Sequence, residues 1–173
     1  MDNIEEIKVG ENTVSIFHDD FPLNPRIDYD NLGTMTYNPR SREAFGEKAM
    51  EGEEVDAIFN NEHDYIALPV YAYVHSGATL NTTGFSCPWD SGQSGIIYVS
   101  RAKIREEFSV KRISPKLKEK VEGILRAEVE TFSKYIGGEV YAFTVKNKED
   151  EVIESCGGFF DLEDCKSEAK ACA

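Results

Sequence analysis

The stretch Tyr65-Ile66-Ala67-Leu68-Pro69-Val70-Tyr71-Ala72-Tyr73-Val74 decides the fold, because it is uncharged and rich in aromatic and β-branched residues. Such a composition predicts a strand that is buried on both faces at the centre of the molecule. Pro69 has no backbone N–H, so it predicts an edge or a bulge at that position. A second core strand is predicted over residues 96–99, which are also apolar and β-branched.

Helix signals follow this centre along the chain. Ser114 at the N-cap position and Pro115 at the first helical position predict the start of a long helix. Apolar residues then recur with helical spacing until Gly137, with one acidic interruption at Glu128. Three shorter helices are predicted, over residues 42–51, 101–108 and 162–173.

β-Hairpins are predicted near both ends of the chain. The first joins residues 4–9 and 13–17, and the second joins residues 139–146 and 151–160. This order predicts an α+β fold, in which a mostly antiparallel sheet packs against one long amphipathic helix, with an N-terminal β-hairpin. We expect a single compact domain with an acidic hairpin and loop region, an α+β core and a short C-terminal helix or tail, at residues 1–64, 65–160 and 161–173.

Charge is distributed unevenly along the 173 residues, which carry 19 basic and 32 acidic side chains and a net charge of −13. Residues 1–64 have a net charge of −11, whereas residues 101–136 have a net charge of +4. An acidic surface repels phosphate, which excludes binding of the whole surface to nucleic acid or to an anionic membrane. The sequence has neither a secretory signal nor an apolar run of bilayer length, so we expect a cytoplasmic protein.

Residues 85–95, Phe-Ser-Cys-Pro-Trp-Asp-Ser-Gly-Gln-Ser-Gly, form the most distinctive stretch and contain the single tryptophan. Its turn-forming residues predict a tightly structured loop. One hypothesis is a binding loop, or a nucleophilic Cys87 with His75 as its base. The alternative, which we prefer to catalysis, is a structural loop in which Trp89 fills the core and Cys87 is buried.

The cysteines, histidines and acidic clusters do not identify a catalytic residue. The four cysteines lack C-x-x-C spacing, which favours reduced thiols, and the three histidines lack H-x-x-x-H spacing. Acidic clusters can hold Mg²⁺ for phosphodiester cleavage, can occupy a basic groove on a partner, or can be solvated surface, which we rank first. We therefore expect no metal site and no cofactor.

Two sets of charged or aromatic residues are candidates for binding. The acidic and aromatic residues expected to contact a protein partner are Asp19, Asp20, Asp28, Asp30, Trp89 and Asp90. The basic residues expected to contact RNA phosphates are Arg101, Lys103, Arg105, Lys111, Arg112 and Lys116. The plainer alternative for the basic set is a solvated helix face.

Two runs of the central region resemble a family of small acidic proteins carried by phages and mobile elements of Gram-positive bacteria. They are Ala-Leu-Pro-Val-Tyr-Ala-Tyr-Val-His-Ser-Gly at residues 67–77 and Phe-Ser-Cys-Pro-Trp-Asp-Ser-Gly-Gln-Ser-Gly-Ile-Ile-Tyr-Val-Ser at residues 85–100. The likeness continues to about residue 160. Some proteins of this kind are anti-CRISPR proteins acting on type II-A systems, which occupy the nuclease, block guide-RNA loading or cause the guide to be shortened.

The resemblance implies an interaction protein that binds a type II guide-RNA-directed nuclease and interferes with its guide RNA. The first alternative is an enzyme, either a metal-assisted ribonuclease or an inducer of guide-RNA truncation. The second is a non-enzymatic regulatory or structural phage protein. The expected partners are the nuclease and its guide RNA, and not a membrane.

Overall fold

A computed structural model describes residues 3–173 and divides the chain into two compact units. Unit 1 combines the segment that ends at Leu23 with Lys134–Ala173, and unit 2 is Asn24–Ser133. In chain order the elements are β1 (Asn3–Val9), β2 (Asn12–His18), β3 (Thr34–Tyr37), β4 (Lys48–Ala49), α1 (Gly52–Phe59), β5 (Tyr65–Val74), β6 (Ala78–Asn81), β7 (Ser91–Ser100), α2 (Arg101–Glu107), α3 (Pro115–Ile136), β8 (Tyr141–Lys146), β9 (Val152–Phe159) and α4 (Leu162–Ala171).

Unit 1 is a four-stranded antiparallel sheet, in the order β1-β2-β8-β9, with α4 packed against it. The predicted N-terminal hairpin is confirmed, and Gly10 adopts a φ of 60°, which favours glycine in the turn. The Asp161 carboxylate caps α4 by accepting hydrogen bonds from two backbone N–H groups. The fully buried core of this unit consists of Val14, Ile16, Phe143, Val145, Cys165 and Ala169.

The cysteines of unit 1 differ in exposure, which predicts different reactivity. Iodoacetamide at pH 8 is expected to modify the exposed Cys156 and to leave Cys165 unmodified. Burial, and next the nearby charge of Cys156, raise the pKa of the Cys165 thiol to about 11. Only about one Cys165 thiol in a thousand is then ionised at pH 8. Mass spectrometry of the peptides checks this, with denatured protein as the control; equal labelling of the two native thiols would contradict it.

Unit 2 is built on a five-stranded sheet in the order β4-β3-β7-β5-β6, in which the β3–β4 pair is parallel and the others are antiparallel. The two predicted core strands form as β5 and β7, but β5 is not buried on both faces: Ile66, Val70 and Ala72 are buried, and its other side chains are half-buried or exposed. Strand β5 has a bulge between Val70 and Tyr71, and only the last four residues of β5 pair with β6. Pro69 precedes those four residues, so β6 needs no hydrogen bond from the N–H that proline lacks.

The pairing of β3 with β7 depends on a close approach of two backbones. Thr36 is fully buried, and its hydroxyl donates to the carbonyl of Ile96 at 3.2 Å and accepts from the Ile96 N–H at 3.0 Å. A Cβ added at Gly95 would lie 2.0 Å from the Thr36 carbonyl oxygen. Glycine at this position is thus required by the contact between the two strands.

The predicted helices of unit 2 begin where their capping residues indicate. Ser100 accepts from the Lys103 N–H at 3.1 Å, and Ser114 accepts from the Leu117 N–H at 3.2 Å. The apolar stripe of α3 is buried, and Leu125 packs near Ile97 of β7. The long amphipathic helix is therefore confirmed as one of four helices.

The α+β class is confirmed, but two parts of the expected fold are wrong. Over residues 3–173 the chain forms two sheets and four helices, and not one sheet against a single long helix. No helix forms over residues 42–51, because the backbone there bonds to the β3 region: Glu47 N–H donates to Met35 and Met50 N–H donates to Tyr37. The helix begins later, at α1, with Glu51 in a capping box.

Candidate functional site

The loop between β6 and β7 carries the most exposed aromatic side chain that the structure describes. Trp89 is 92% exposed, so the alternative that placed it in the core is wrong. A tryptophan exposes a large apolar surface to water, and such surface is typical of a binding contact. Trp89 is therefore the leading candidate among the residues predicted to contact a protein partner.

Hydrogen bonds at one end and a ring contact at the other hold this loop in shape. The Ser91 hydroxyl donates to the Cys87 carbonyl, and the Val74 N–H donates to the Asp90 carbonyl at 2.9 Å. At the other end the ring of Phe85 lies 5.7 Å from the ring of Tyr73. The loop thus presents Trp89 from a braced backbone, which lowers the entropy lost when a partner binds.

The contacts around Asp90 bear on the hypothesis of a nucleophilic cysteine. His75 Nδ1 lies 3.4 Å from Asp90 Oδ2, and the Cys87 thiol donates to the same oxygen at 3.9 Å. A cysteine nucleophile needs the imidazole itself to take its proton, with the carboxylate behind the imidazole. Here the carboxylate lies between the two groups, so this arrangement does not assemble the pair that catalysis requires.

The other predicted acidic contacts differ in how far their carboxylates are already used. Asp19 accepts from the N–H groups of Phe21 at 3.0 Å and Gly158 at 2.9 Å, which ties it to β9 within unit 1. Asp28 accepts from the Asn24 N–H at 2.8 Å in a turn of unit 2. Asp20 and Asp30 are exposed. Of the acidic set, Asp20 belongs to unit 1 with Asp19, whereas Asp28, Asp30 and Asp90 belong to unit 2 with Trp89.

A buried arginine that the sequence analysis missed organises the segment around Asp28. The guanidinium of Arg26 makes a two-point contact with Glu47 at 2.7 and 2.9 Å and reaches Glu128 at 2.9 Å. Glu128 also accepts from the N–H groups of Leu32 and Gly33. Burial alone would lower the pKa of Arg26, but the hydrogen bonds that its guanidinium donates to Glu47 and Glu128 outweigh burial and raise the pKa, so the group stays charged.

The predicted RNA-binding residues separate into three groups. Arg101 donates to the Glu62 carbonyl, and Lys103 donates to the carbonyls of Asn31 and Leu32, each at 2.9 Å, so both cations bond to the protein's own backbone. Arg112 and Lys116 instead line an open groove. The two remaining members of the set, Arg105 and Lys111, are exposed outside the groove lining.

This groove lies between the end of α2 and the first turns of α3 and has a volume of about 610 Å³. Its apolar lining comes from the half-buried side chains of Phe108, Val110 and Leu117. Its charged residues are Arg112, Lys116, Lys120 and Glu119. Lys120 Nζ lies 5.0 Å from the centre of the Phe108 ring, within cation–π range. The lining thus combines one aromatic ring and two aliphatic side chains with three cations and one carboxylate.

The histidine, cysteine and acidic side chains do not assemble a metal site in the described part of the chain. Within residues 3–173, the structure contains no group of three or more His, Cys, Asp or Glu side chains arranged to hold a metal ion. The ring of His18 lies tilted against that of Tyr141, with ring centres 5.2 Å apart, and His63 contacts Asp64 at 2.7 Å. Hydrogen bonds from Asn61 and then His63 lower the pKa of Asp64.

In the described part of the chain, no helix combines the length and the apolar composition that a bilayer crossing requires. Comparison of the chain with protein-family models, with curated protein sequences and with solved structures finds no match.

Proposed function

We propose that this chain is an anti-CRISPR inhibitor that binds a type II guide-RNA-directed nuclease through the loop presenting Trp89. The observation that carries the proposal is the 92% exposure of Trp89 on a braced loop. Tryptophan is enriched among the residues that contribute most of the binding energy at protein interfaces. The resemblance of residues 67–77 and 85–100 to small acidic phage proteins supplies the class of partner.

The charge of the chain suits a nuclease that holds RNA. Such a nuclease has a positively charged channel, and a chain of net charge −13 is attracted to it. Asp90 stands next to Trp89, so the contact loop itself carries negative charge beside its apolar anchor. The charge gives fast, salt-dependent association, and burial of Trp89 in the complex gives slow dissociation.

The decisive variant is Trp89→Ala. It is expected to weaken binding to the nuclease by roughly 30-fold, the effect of losing a hot-spot side chain of about 2 kcal/mol. Binding is measured by biolayer interferometry on the immobilised nuclease, with and without guide RNA. Phe21→Ala is the matched control, because Phe21 is an aromatic residue that is 91% exposed elsewhere in the chain. Its affinity is expected to stay within twofold of the native value.

Several outcomes would overturn the proposal. Absence of binding at low salt, both with and without guide RNA, would remove the nuclease as partner. An equal loss in both variants would show that Trp89 has no special role. In a parallel incubation with guide RNA and Mg²⁺, shortened RNA would favour the ribonuclease or truncation alternative over inhibition by binding. Intact RNA together with no binding would leave a regulatory or structural phage protein.

A further inference from the structure

We infer that the groove lined by Phe108, Leu117, Arg112, Lys116 and Lys120 is a binding site for single-stranded RNA. Proteins that bind single strands combine aromatic side chains, on which bases stack, with cations that follow the phosphates. Both features are present here, since Phe108 belongs to the apolar lining and three cations line the same groove. A base that stacks on Phe108 would take the place of Lys120 Nζ, which lies 5.0 Å from the ring centre. Duplex RNA does not fit this chemistry, because its bases are stacked on each other and cannot reach the apolar lining.

The local charge of the groove favours an anion despite the acidity of the whole chain. Three cations line the groove against the single carboxylate of Glu119. The first turn of α3 contains no acidic residue, although acids are the residues usually favoured there. At about 0.15 M salt, charges more than about 8 Å away are largely screened, so these near cations decide the local potential.

The structure also limits how long the bound strand is. A second cavity of about 430 Å³ shares Phe108 with the groove, and its lining includes Asp30, Glu107 and Glu128 against one cation, Lys103. A phosphate passing beyond Phe108 would meet more carboxylates than cations and be repelled. The groove's volume of about 610 Å³ is that of a small-ligand pocket, so it accommodates one or two nucleotides and not an extended strand.

This inference deepens the proposed function and rests on it only for the source of the RNA, which would be an unpaired part of the guide. The Trp89 loop and the groove are tested separately, because binding of RNA to the isolated chain does not involve the nuclease. If the isolated chain does not bind RNA, the proposal of nuclease binding still stands. If the chain does not bind the nuclease, the proposal that the groove binds RNA still stands.

The test measures binding of a fluorescein-labelled hexauridine RNA to the full chain by fluorescence anisotropy. Between 20 and 200 mM salt, contact of three cations with phosphates is expected to give a slope of about −2 in log K against log salt. Phe108→Leu, which keeps an apolar side chain, is expected to weaken binding roughly tenfold through loss of base stacking. Lys116→Glu is expected to abolish measurable binding.

The control for charge is Arg126→Glu on the same helix. Arg126 pairs with Glu122 at 3.5 Å and does not line the groove, so this variant has the same change in net charge as Lys116→Glu. Its affinity for hexauridine is expected to stay within about threefold of the native value. Circular dichroism melting of each variant shows that it is folded; if Phe108→Leu is unfolded, Lys116→Glu and Arg112→Ala decide the question.

Four results would overturn the inference. They are the absence of hexauridine binding at 20 mM salt, equal loss in Lys116→Glu and Arg126→Glu, equal affinity for a six-base-pair RNA duplex, and preference for an acidic peptide containing phenylalanine. The last of these would reassign the groove to a protein partner.

Discussion

Replacement of Arg26 by methionine is expected to lower the free energy of unfolding by about 3–5 kcal/mol, the cost of removing one partner from a buried ion-pair network. The Arg26 side chain is 1% exposed, and those of Glu47 and Glu128 are 24% and 12% exposed. Methionine replaces the aliphatic stem of arginine and has no charge, so the loss comes mainly from carboxylates left without their counter-ion. The melting temperature is expected to fall by roughly 10 °C, as measured by thermal denaturation.

Two further variants separate this effect from a general loss of charge. Arg40→Met removes an exposed arginine whose contact with Glu51 is 3.6 Å, and it is expected to cost less than about 1 kcal/mol. The double variant Arg26→Met/Glu128→Gln is expected to recover part of the stability, because it removes one uncompensated charge and keeps an acceptor for the N–H of Leu32. Faster hydrogen exchange at Leu32 and Met35 would locate the damage. An Arg26→Met cost no larger than that of Arg40→Met would contradict the prediction.

Gly95→Ala is expected to destabilise unit 2 by about 3 kcal/mol, at the upper end of the usual cost of overpacking. The added methyl group would lie 2.0 Å from the Thr36 carbonyl oxygen, and a backbone atom cannot rotate away as a flexible side chain can. Strand β3 would have to separate from β7 and lose the two hydrogen bonds between Thr36 and Ile96. Chemical denaturation measures the cost.

The matched control is Gly92→Ala, in the same strand. A Cβ at Gly92 meets nothing within 4 Å, so this change is expected to stay within about 0.5 kcal/mol of the native stability. Hydrogen exchange at the Ile96 amide is expected to accelerate only in Gly95→Ala. Equal stabilities of the two variants would mean that the strands separate at little cost.

Local patterns predicted the elements of this fold, and distant pairings determined their assembly. Strand β5, helix α3 and both hairpins follow from composition, caps and turn residues within about twenty positions. The division into two sheets arises because β2 pairs with β8, for instance Thr13 with Lys146, and no local signal specifies such a partner. The helix expected at residues 42–51 failed for the same reason, since its backbone bonds to the β3 region.

The candidate site was predictable only in part. Arg101 and Arg112 look equivalent in sequence, yet one bonds to the carbonyl of Glu62 and the other lines an open groove. Phe108 was missed because its role depends on the chain turning between α2 and α3. The one available signal of the Arg26 network was the acidic interruption at Glu128 in the apolar stripe of α3. A buried glutamate implies a buried cation, but the sequence does not say which one.

The division of unit 1 between the two ends of the chain has a consequence during synthesis. Strand β2 leaves the ribosome well before its partner β8, which is completed only after residue 146. At about 5–20 residues per second, the interval is on the order of ten seconds. Throughout that time the β1–β2 hairpin carries an unpaired edge and the uncovered side chains of Val14 and Ile16, which would otherwise lie in the core. The nascent chain therefore passes through a period in which this hairpin is a target for chaperones or for aggregation.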